Sequence, residues 1–588
     1  MTRAELPEST EASAASSFDG LSAHNGAMFW VESRPEQGVD VVATWTPQEV
    51  PTFTTIPVGN SIHAYGGGTY AVSPRGIWVV SSDDGRIWLD GGSAYTSPGS
   101  AGDLRFAGGL LLFVRETDTY DELVVIDPDS GGEVVLRTAG FIASPSLSDG
   151  RLAWVEWPVD VMPWDQAEVW VADLVQGQEL KNPTLVAGGP TEAATQPQWG
   201  PDGTLYFMSD RGSGWQNLHR WDGAGIELLV PMEADCAEAL WELGYSSYGF
   251  LPDGRIAMVA QNGVEHRLVL AEASGAVTPL ATPYTFFKPY LAVYGDHVAV
   301  IGSSPTVPQQ VALVATDGSG AIEVIRSGPE PATDAAVSAP QILRVDSDGV
   351  PITVVYYPPL SCVPGQAAPL IVRAHPGPTH HNELRLDAEI QFFTSRGFAV
   401  ADVDYGGSTG YGRAFRKTLD HRWGELDVAD CCNAAVGLID LGLAEPGTIF
   451  ITGASAGGYT ALRAVSSPDT PFALAAARSA IVDPNRWVET APRFQRPHAA
   501  ILTHATAGVE ADRVSRPVLL VHGDADMVAP AADVRELAEA LKSRGMLAGY
   551  LPLADVGHYL SKPEALNAAL SAELAAYEAV INRADPRG

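Results

Sequence analysis

The first half of the chain repeats itself, and that repeat restricts the fold more than any single motif. Units beginning at Gly26, Tyr70, Asp103, Ser146, Gln198, Gly249 and Leu291 each run turn, alternating strand, polar hairpin and second strand. Alternation of apolar and polar residues marks a strand with one buried face, and the Asp-Gly turns of several units mark hairpins. The later units recur every ~40–50 residues, the spacing of propeller blades. One such unit cannot bury its apolar face alone and must stack on its neighbours. Seven of them predict a seven-bladed β-propeller. A pair of β-sandwiches has no reason to keep this order of elements.

After "RSGPEPATDAAVSAP" (326–340), rich in Pro, Ala and Ser and read as a linker, the texture changes. Apolar strands such as "PLIVRAH", "FAVADVDY", "TIFITG" and "RPVLLVHG" alternate with helical stretches such as "DVADCCNAAVGLIDLG". That alternation predicts a doubly wound, mostly parallel sheet. The chain therefore divides into an N-terminal extension at 1–20, a propeller at 21–330 and an α/β domain at 331–588. A length of 588 residues independently asks for more than one core.

Charge narrows the partners. With 36 basic and 71 acidic residues the net charge is −35. Such a surface repels nucleic-acid phosphates and anionic lipid, so neither is an expected partner. The four cysteines form no CxxC pair, which argues against a disulfide framework or a zinc site. Cys431 and Cys432 read as small packing residues on a helix. The N-terminal stretch lacks the apolar core of a signal peptide, and no run is long enough to span a membrane. A cytoplasmic address is expected.

Within the second half, "ITGASAGGYT" (451–460) sets a serine among small residues between an apolar strand and a helix. A sharp strand-to-helix turn tolerates only small neighbours and presents its central hydroxyl to a cleft. Ser455 is thus the candidate nucleophile. A serine hydroxyl needs a base, and the base needs an orienting acid. In the strand-turn-helix folds that use this elbow the order is serine, acid, histidine. "RPVLLVHGDADMVAP" offers Asp526, with Asp524 read as a turn residue. "LPLADVGHYL" offers His558. His522 precedes the acid and is read as structural. The developing oxyanion needs backbone donors. Ala456, following the serine, and Gly377, in "LIVRAHPGPTHH", are the candidates. This chemistry requires no metal or cofactor.

Together these motifs resemble the prolyl oligopeptidase family of serine peptidases, in its acylaminoacyl-peptidase and dipeptidyl-aminopeptidase-like branch. The resemblance rests on "DYGGSTGYGRAFRKTLDHRWGELDVADC", "GASAGGYTALRA", "GDADMVAP" and "DVGHYL". In the propeller it rests on "HAYGGGTY", "VDVMPWDQAEVWVADL", "PQWGPDGTLYFMSDRGSGWQNL" and "EADCAEALWELGYSSYGFLPDG". It implies an α/β-hydrolase second domain, Ser455, Asp526 and His558 as the triad, and Gly377 and Ala456 as the oxyanion donors. Two departures stand out. Ala64 occupies a position where relatives usually carry glutamate, and the segment from Pro484 to Ser515, which walls the specificity pocket in the family, looks trimmed.

The expected activity is hydrolysis of short peptides, as an aminopeptidase or an acylaminoacyl-peptidase. The alternatives are a specialised hydrolase or acyltransferase acting on a non-peptide amide or ester, and an inactive propeller binding protein. For the substrate, "PMEADCAEALW" offers Glu233 to a free amino group. Trp487, Arg493 and Arg496, in the trimmed segment, are candidate pocket residues.

Overall fold

The computed structural model describes residues 17–96, 99–329, 337–361, 367–503, 508–560 and 562–584. Most of the expected N-terminal extension, the middle of the linker and Cys362 lie outside them. Seven successive sheets form the propeller, over 18–53, 70–89, 100–139, 141–187, 194–228, 248–279 and 286–327. Six have four antiparallel strands and the second has three. The first strand, Phe18–His24, starts inside the stretch assigned to the extension and pairs with Ala27–Arg34. Trp30, Trp154, Phe141 and Phe113 are fully buried between blades.

Each blade comes from one continuous stretch of chain, so among the described residues the first and last blades meet through apolar packing and side-chain hydrogen bonds rather than a shared strand. The Phe18 N–H donates to Gln309 Oε1 at 2.7 Å, and the Tyr294 hydroxyl donates to the Gly26 carbonyl at 2.9 Å. Arg326 grips Glu32 through two bonds of 3.1 and 2.7 Å. Among the described residues no strand crosses this seam.

The second domain is an eight-stranded sheet. Its order is Gln341–Ser347, Val350–Tyr357, Ala399–Asp404, Ala368–Ala374, Ala444–Ala454, Leu474–Arg478, Val518–Gly523, Leu547–Leu553. The first two strands are antiparallel and the other six run parallel. The central strands are near-continuous apolar runs because helices cover both faces. Ile371, Val372, Ile449, Phe450, Ile451 and Leu520 are all fully buried. Parallel strands of such a sheet deliver their loops to one carboxyl-end edge. The propeller docks there: Arg413 bridges to Asp210 at 2.5 Å and Arg416 to Asp165 at 3.4 Å. Among the described residues no helix is long and apolar enough to cross a membrane.

Candidate active site

Ser455 sits between the strand Ala444–Ala454 and the helix Ala456–Ala464, with φ 52° and ψ −116°. A non-glycine residue in that region is strained by about 1–3 kcal/mol and persists only where its surroundings enforce it. The surroundings here are tight. A Cβ on Gly453 would lie 2.4 Å from the Gly457 carbonyl carbon, and one on Gly457 2.2 Å from the Ala374 oxygen. The Ser455 N–H donates to the Arg478 carbonyl at 2.9 Å, tying the elbow to the next strand.

Two neighbouring strand-end loops bring the remaining groups. His558 Nε2 lies 2.9 Å from Ser455 Oγ, and His558 Nδ1 lies 2.8 Å from Asp526 Oδ2. A carboxylate only accepts, so Nδ1 carries the proton and the Nε2 lone pair faces the serine hydroxyl. Asp526 Oδ1 accepts from the Val528 and Ala529 N–H groups at 2.8 and 2.9 Å. Burial pushes this carboxyl up. The His558 hydrogen bond and charge, with the two backbone donors, outweigh burial and hold it below its usual range.

The competing groups have other work. Asp524 is exposed and accepts the Asp555 N–H at 2.8 Å, joining the acid loop to the histidine loop. His522 is buried, donates through Nε2 to the Ala529 carbonyl at 3.1 Å, and is held below its usual pKa chiefly by that burial.

The loop after Ala368–Ala374 carries Gly377. Its base is rigid: His375 stacks on Tyr405 at 4.0 Å and bonds the Gly377 carbonyl at 2.6 Å and Ser408 Oγ at 2.8 Å. The Ala456 N–H is engaged by this loop, donating to the Pro376 carbonyl at 3.1 Å.

The expected substrate residues fare differently. Glu233 is exposed, with its carbonyl held by Asn262 Nδ2 at 2.7 Å, and its carboxylate does not join the buried acids. The acids that turn inward are Glu238 and Glu242, a few residues on. Burial, then the charge of Glu383, pushes Glu238 up to about 8 against the pull of Lys288. Burial, then the charge of Asp19, pushes Glu242 up to about 7. Glu242 borders a cavity of about 340 Å³ shared with Asp19, Tyr65 and Tyr290. Tyr65 and Tyr559 lie within electrostatic reach of both Glu242 and Asp526, which sets this acid on the serine's side of the propeller.

The three residues of the trimmed segment make three different sets of contacts. Trp487 is buried and its Nε1–H donates to the Val528 carbonyl at 3.0 Å, bracing the acid loop. Arg493 reaches into the propeller, bonding the Gly140 carbonyl at 2.7 Å, Glu116 at 3.1 Å, and Asp121, with its guanidinium 4.0 Å over Phe141. Arg496 is exposed and donates to the Ala491 carbonyl at 3.0 Å. Sequence reasoning missed the inward contacts of Trp487 and Arg493 because their partners lie far away along the chain.

Among the described residues, two groups of side chains have the composition of metal ligands. In the first, Arg493 bonds Glu116 and Asp121, and His63 Nε2 meets Asp121 Oδ2 at 2.6 Å. Of Glu238, His266 and His381, the two histidines share one N–H between Nε2 atoms 3.2 Å apart.

Known proteins share this design. The prolyl oligopeptidase family profile matches residues 384–583. The acylamino-acid-releasing enzyme of Arabidopsis thaliana is 26% identical over 433 residues, covering 63% of this chain and 56% of the relative. Dipeptidyl aminopeptidase BIII of Pseudoxanthomonas mexicana is 25% identical over 37% of this chain and 34% of its own length. The chain thus spans between a third and three-fifths of the curated relatives it matches. A puromycin-hydrolysing peptidase from Mycobacterium tuberculosis is 31% identical, with a TM-score of 0.90 over 98% of this chain and 96% of that one. A puromycin hydrolase structure is 28% identical, also with a TM-score of 0.90. A likeness that runs through both domains at this identity, with the family profile matching the second, makes this chain a peptidase of the prolyl oligopeptidase family.

Proposed function

We propose that the protein is an aminopeptidase-type serine peptidase that cleaves short peptides through an acyl-enzyme. His558 takes the Ser455 proton as the hydroxyl attacks the scissile carbonyl. Asp526 fixes the imidazole tautomer and stabilises the imidazolium. His558 then protonates the leaving amine, and water, deprotonated in turn by His558, releases the acyl group. The observation that carries this reading is the unbroken hydrogen-bond relay from Ser455 through His558 to Asp526, at 2.9 and 2.8 Å.

Gly377 and Ala456 supply the oxyanion donors in this scheme, each worth about 2.7–4 kcal/mol in comparable sites. Because the Ala456 N–H now meets the Pro376 carbonyl, the substrate oxygen must displace that carbonyl. Rotation of the Pro376–Gly377 peptide does so: it swings the carbonyl out and the Gly377 N–H in. Proline followed by glycine is the dipeptide in which such a turn flips between two stable forms, since glycine alone accepts positive φ freely.

The acidic interior beside the serine favours a substrate with a free amino group over an acylated one. Glu242, rather than Glu233, is the acid proposed to meet the ammonium, where a charge-assisted bond in a desolvated cleft exceeds a surface ion pair. The docked propeller limits access to short or flexible chains. A second reading, a hydrolase of a specialised small amide, is favoured by the two relatives named for puromycin.

The test is a panel of aminoacyl and N-acyl-aminoacyl chromogenic substrates together with puromycin, run on the wild type and Ser455→Ala. Loss of turnover and of fluorophosphonate labelling in Ser455→Ala, with unchanged melting, is expected. Turnover near the wild-type value in that variant would overturn the nucleophile. A preference for acylated substrates would overturn the aminopeptidase reading alone.

A further inference from the structure

The loop carrying Gly377 is held unevenly. Its own domain secures its two ends: His375 by Tyr405 and Ser408, and His380 through its carbonyl, which accepts the Thr409 N–H at 2.9 Å. Its apex, Thr379, is gripped from both domains. The Thr379 carbonyl accepts the indole Nε1–H of Trp241, a propeller residue, at 2.7 Å. The Thr379 hydroxyl meets His498 Nε2 at 3.1 Å. A Cβ on Gly377 would stand 3.7 Å from Trp241 Cζ2, so the indole also flanks the glycine itself.

Trp241 is well placed to hold rather than to follow. It packs against Trp164 at 4.6 Å, Tyr65 at 5.1 Å and His498 at 5.5 Å. The segment around it is pinned to the propeller rim on two sides. The Leu243 N–H donates to the Gly66 carbonyl at 2.9 Å, and the Ser246 N–H to the Pro289 carbonyl at 2.8 Å. A ring set in aromatic neighbours, on a segment pinned just beyond it, gives its N–H a defined direction. Oxyanion donors act only when aimed beforehand at the developing charge, and small misplacements are expensive in rate.

We infer that Trp241 is a positioning residue: its indole N–H, through the Thr379 carbonyl, sets the oxyanion loop, so that a propeller side chain tunes the chemistry of the hydrolase domain. The inference rests on the assignment of Gly377 to the oxyanion site. It makes the docked propeller part of the catalytic apparatus as well as a barrier. It also separates Trp241 from its neighbour Glu242, whose proposed role is binding.

The test is Trp241→Phe, which keeps an aromatic ring in the cluster and removes the donor. Losing that one bond leaves a buried carbonyl unpaired, and kcat should fall about tenfold with KM nearly unchanged. A small activated acetate ester reaches Ser455 without spanning the propeller side of the cleft. Its turnover, and the rate of fluorophosphonate labelling, should fall by a similar factor. A variant that raises peptide KM but turns over the ester normally would make Trp241 a substrate contact and overturn the inference. A variant with wild-type kcat on both would overturn it as well. If melting falls markedly, Trp241→Tyr serves as a second ring replacement, with ester turnover normalised to titratable Ser455. The assignment of Gly377 is checked separately, by the structure of a boronate adduct in the wild type. An adduct oxygen that does not meet the Gly377 N–H refutes that assignment, whatever Trp241→Phe does.

Discussion

Arg493→Ala tests the attachment of one domain to the other. Arg493 comes from the hydrolase domain, yet every partner named for it lies in the propeller: the Gly140 carbonyl, Glu116, Asp121 and the face of Phe141. Its side chain is 12% exposed and that of Asp121 is fully buried. Removing one member of a buried ion pair typically costs about 3–5 kcal/mol, because the other charge is left uncompensated. Asp121 would keep two partners, His63 Nε2 at 2.6 Å and the Ile142 N–H at 2.9 Å. The lower end, about 3 kcal/mol, is therefore the expected loss, somewhat over a hundredfold in the docking equilibrium. Urea unfolding monitored by tryptophan fluorescence gives the stability change, and small-angle scattering reports whether the domains separate. A double-mutant cycle with Asp121→Asn isolates the pair, and its coupling energy should exceed about 1 kcal/mol. A loss below about 1 kcal/mol with no coupling, and scattering like that of the wild type, would refute the reasoning.

Two further outcomes are expected at the site. Asp526→Asn should lower kcat by about 10⁴-fold, as loss of the orienting acid does in comparable triads. Asp524→Asn should change it by less than about tenfold, since asparagine can still accept the Asp555 N–H, and the reverse ranking in steady-state assays would invert the assignment. Glu242→Gln should change stability with a definite sign. Burial raises the folded-state pKa of Glu242 from 4.5 to about 7, so the folded protein holds a proton that the unfolded chain has released between those values. Wild-type stability from this group is therefore greatest below 4.5 and is lost as pH rises towards 7. Glutamine cannot ionise, so the variant should melt higher than the wild type near pH 8 and gain less near pH 5, while KM for free-amine substrates rises. Equal shifts at both pH values would dismiss the buried charge.

The parts of the molecule legible in the sequence are those written in local pattern. The propeller follows from seven recurrences of turn and hairpin, and the elbow from five small residues around one serine. The direction of a loop side chain is not local. Glu233 and Glu242 stand in one acidic stretch with no strand or helix period to assign a face. What turns the second inward is the pinning of Leu243 to Gly66, a residue far earlier in the chain. Arg493 and Trp487 look like polar and aromatic pocket residues in sequence. Their partners at Asp121 and Val528 convert them into a fastener and a brace. Ala64 illustrates the same limit. With His63 it adopts positive φ, 72° and 54°, a backbone path that no composition would announce.

The propeller is a split washer, not a closed hoop. At six of its seven junctions the chain itself passes from blade to blade, whereas at the seventh, among the described residues, apolar packing and clasps such as Arg326–Glu32 and Phe18–Gln309 hold the two lips together. Under load or heat, the gap between the first and last blades is where the washer springs. One lip ends at Ser327, and the hydrolase sheet begins at Gln341, so that lip is also the arm on which the hydrolase hangs. Lys288 on that lip bridges to Asp19 on the other at 3.2 Å, within electrostatic reach of Glu242. Springing the washer and loosening the acidic chamber beside the serine are thus a single mechanical event.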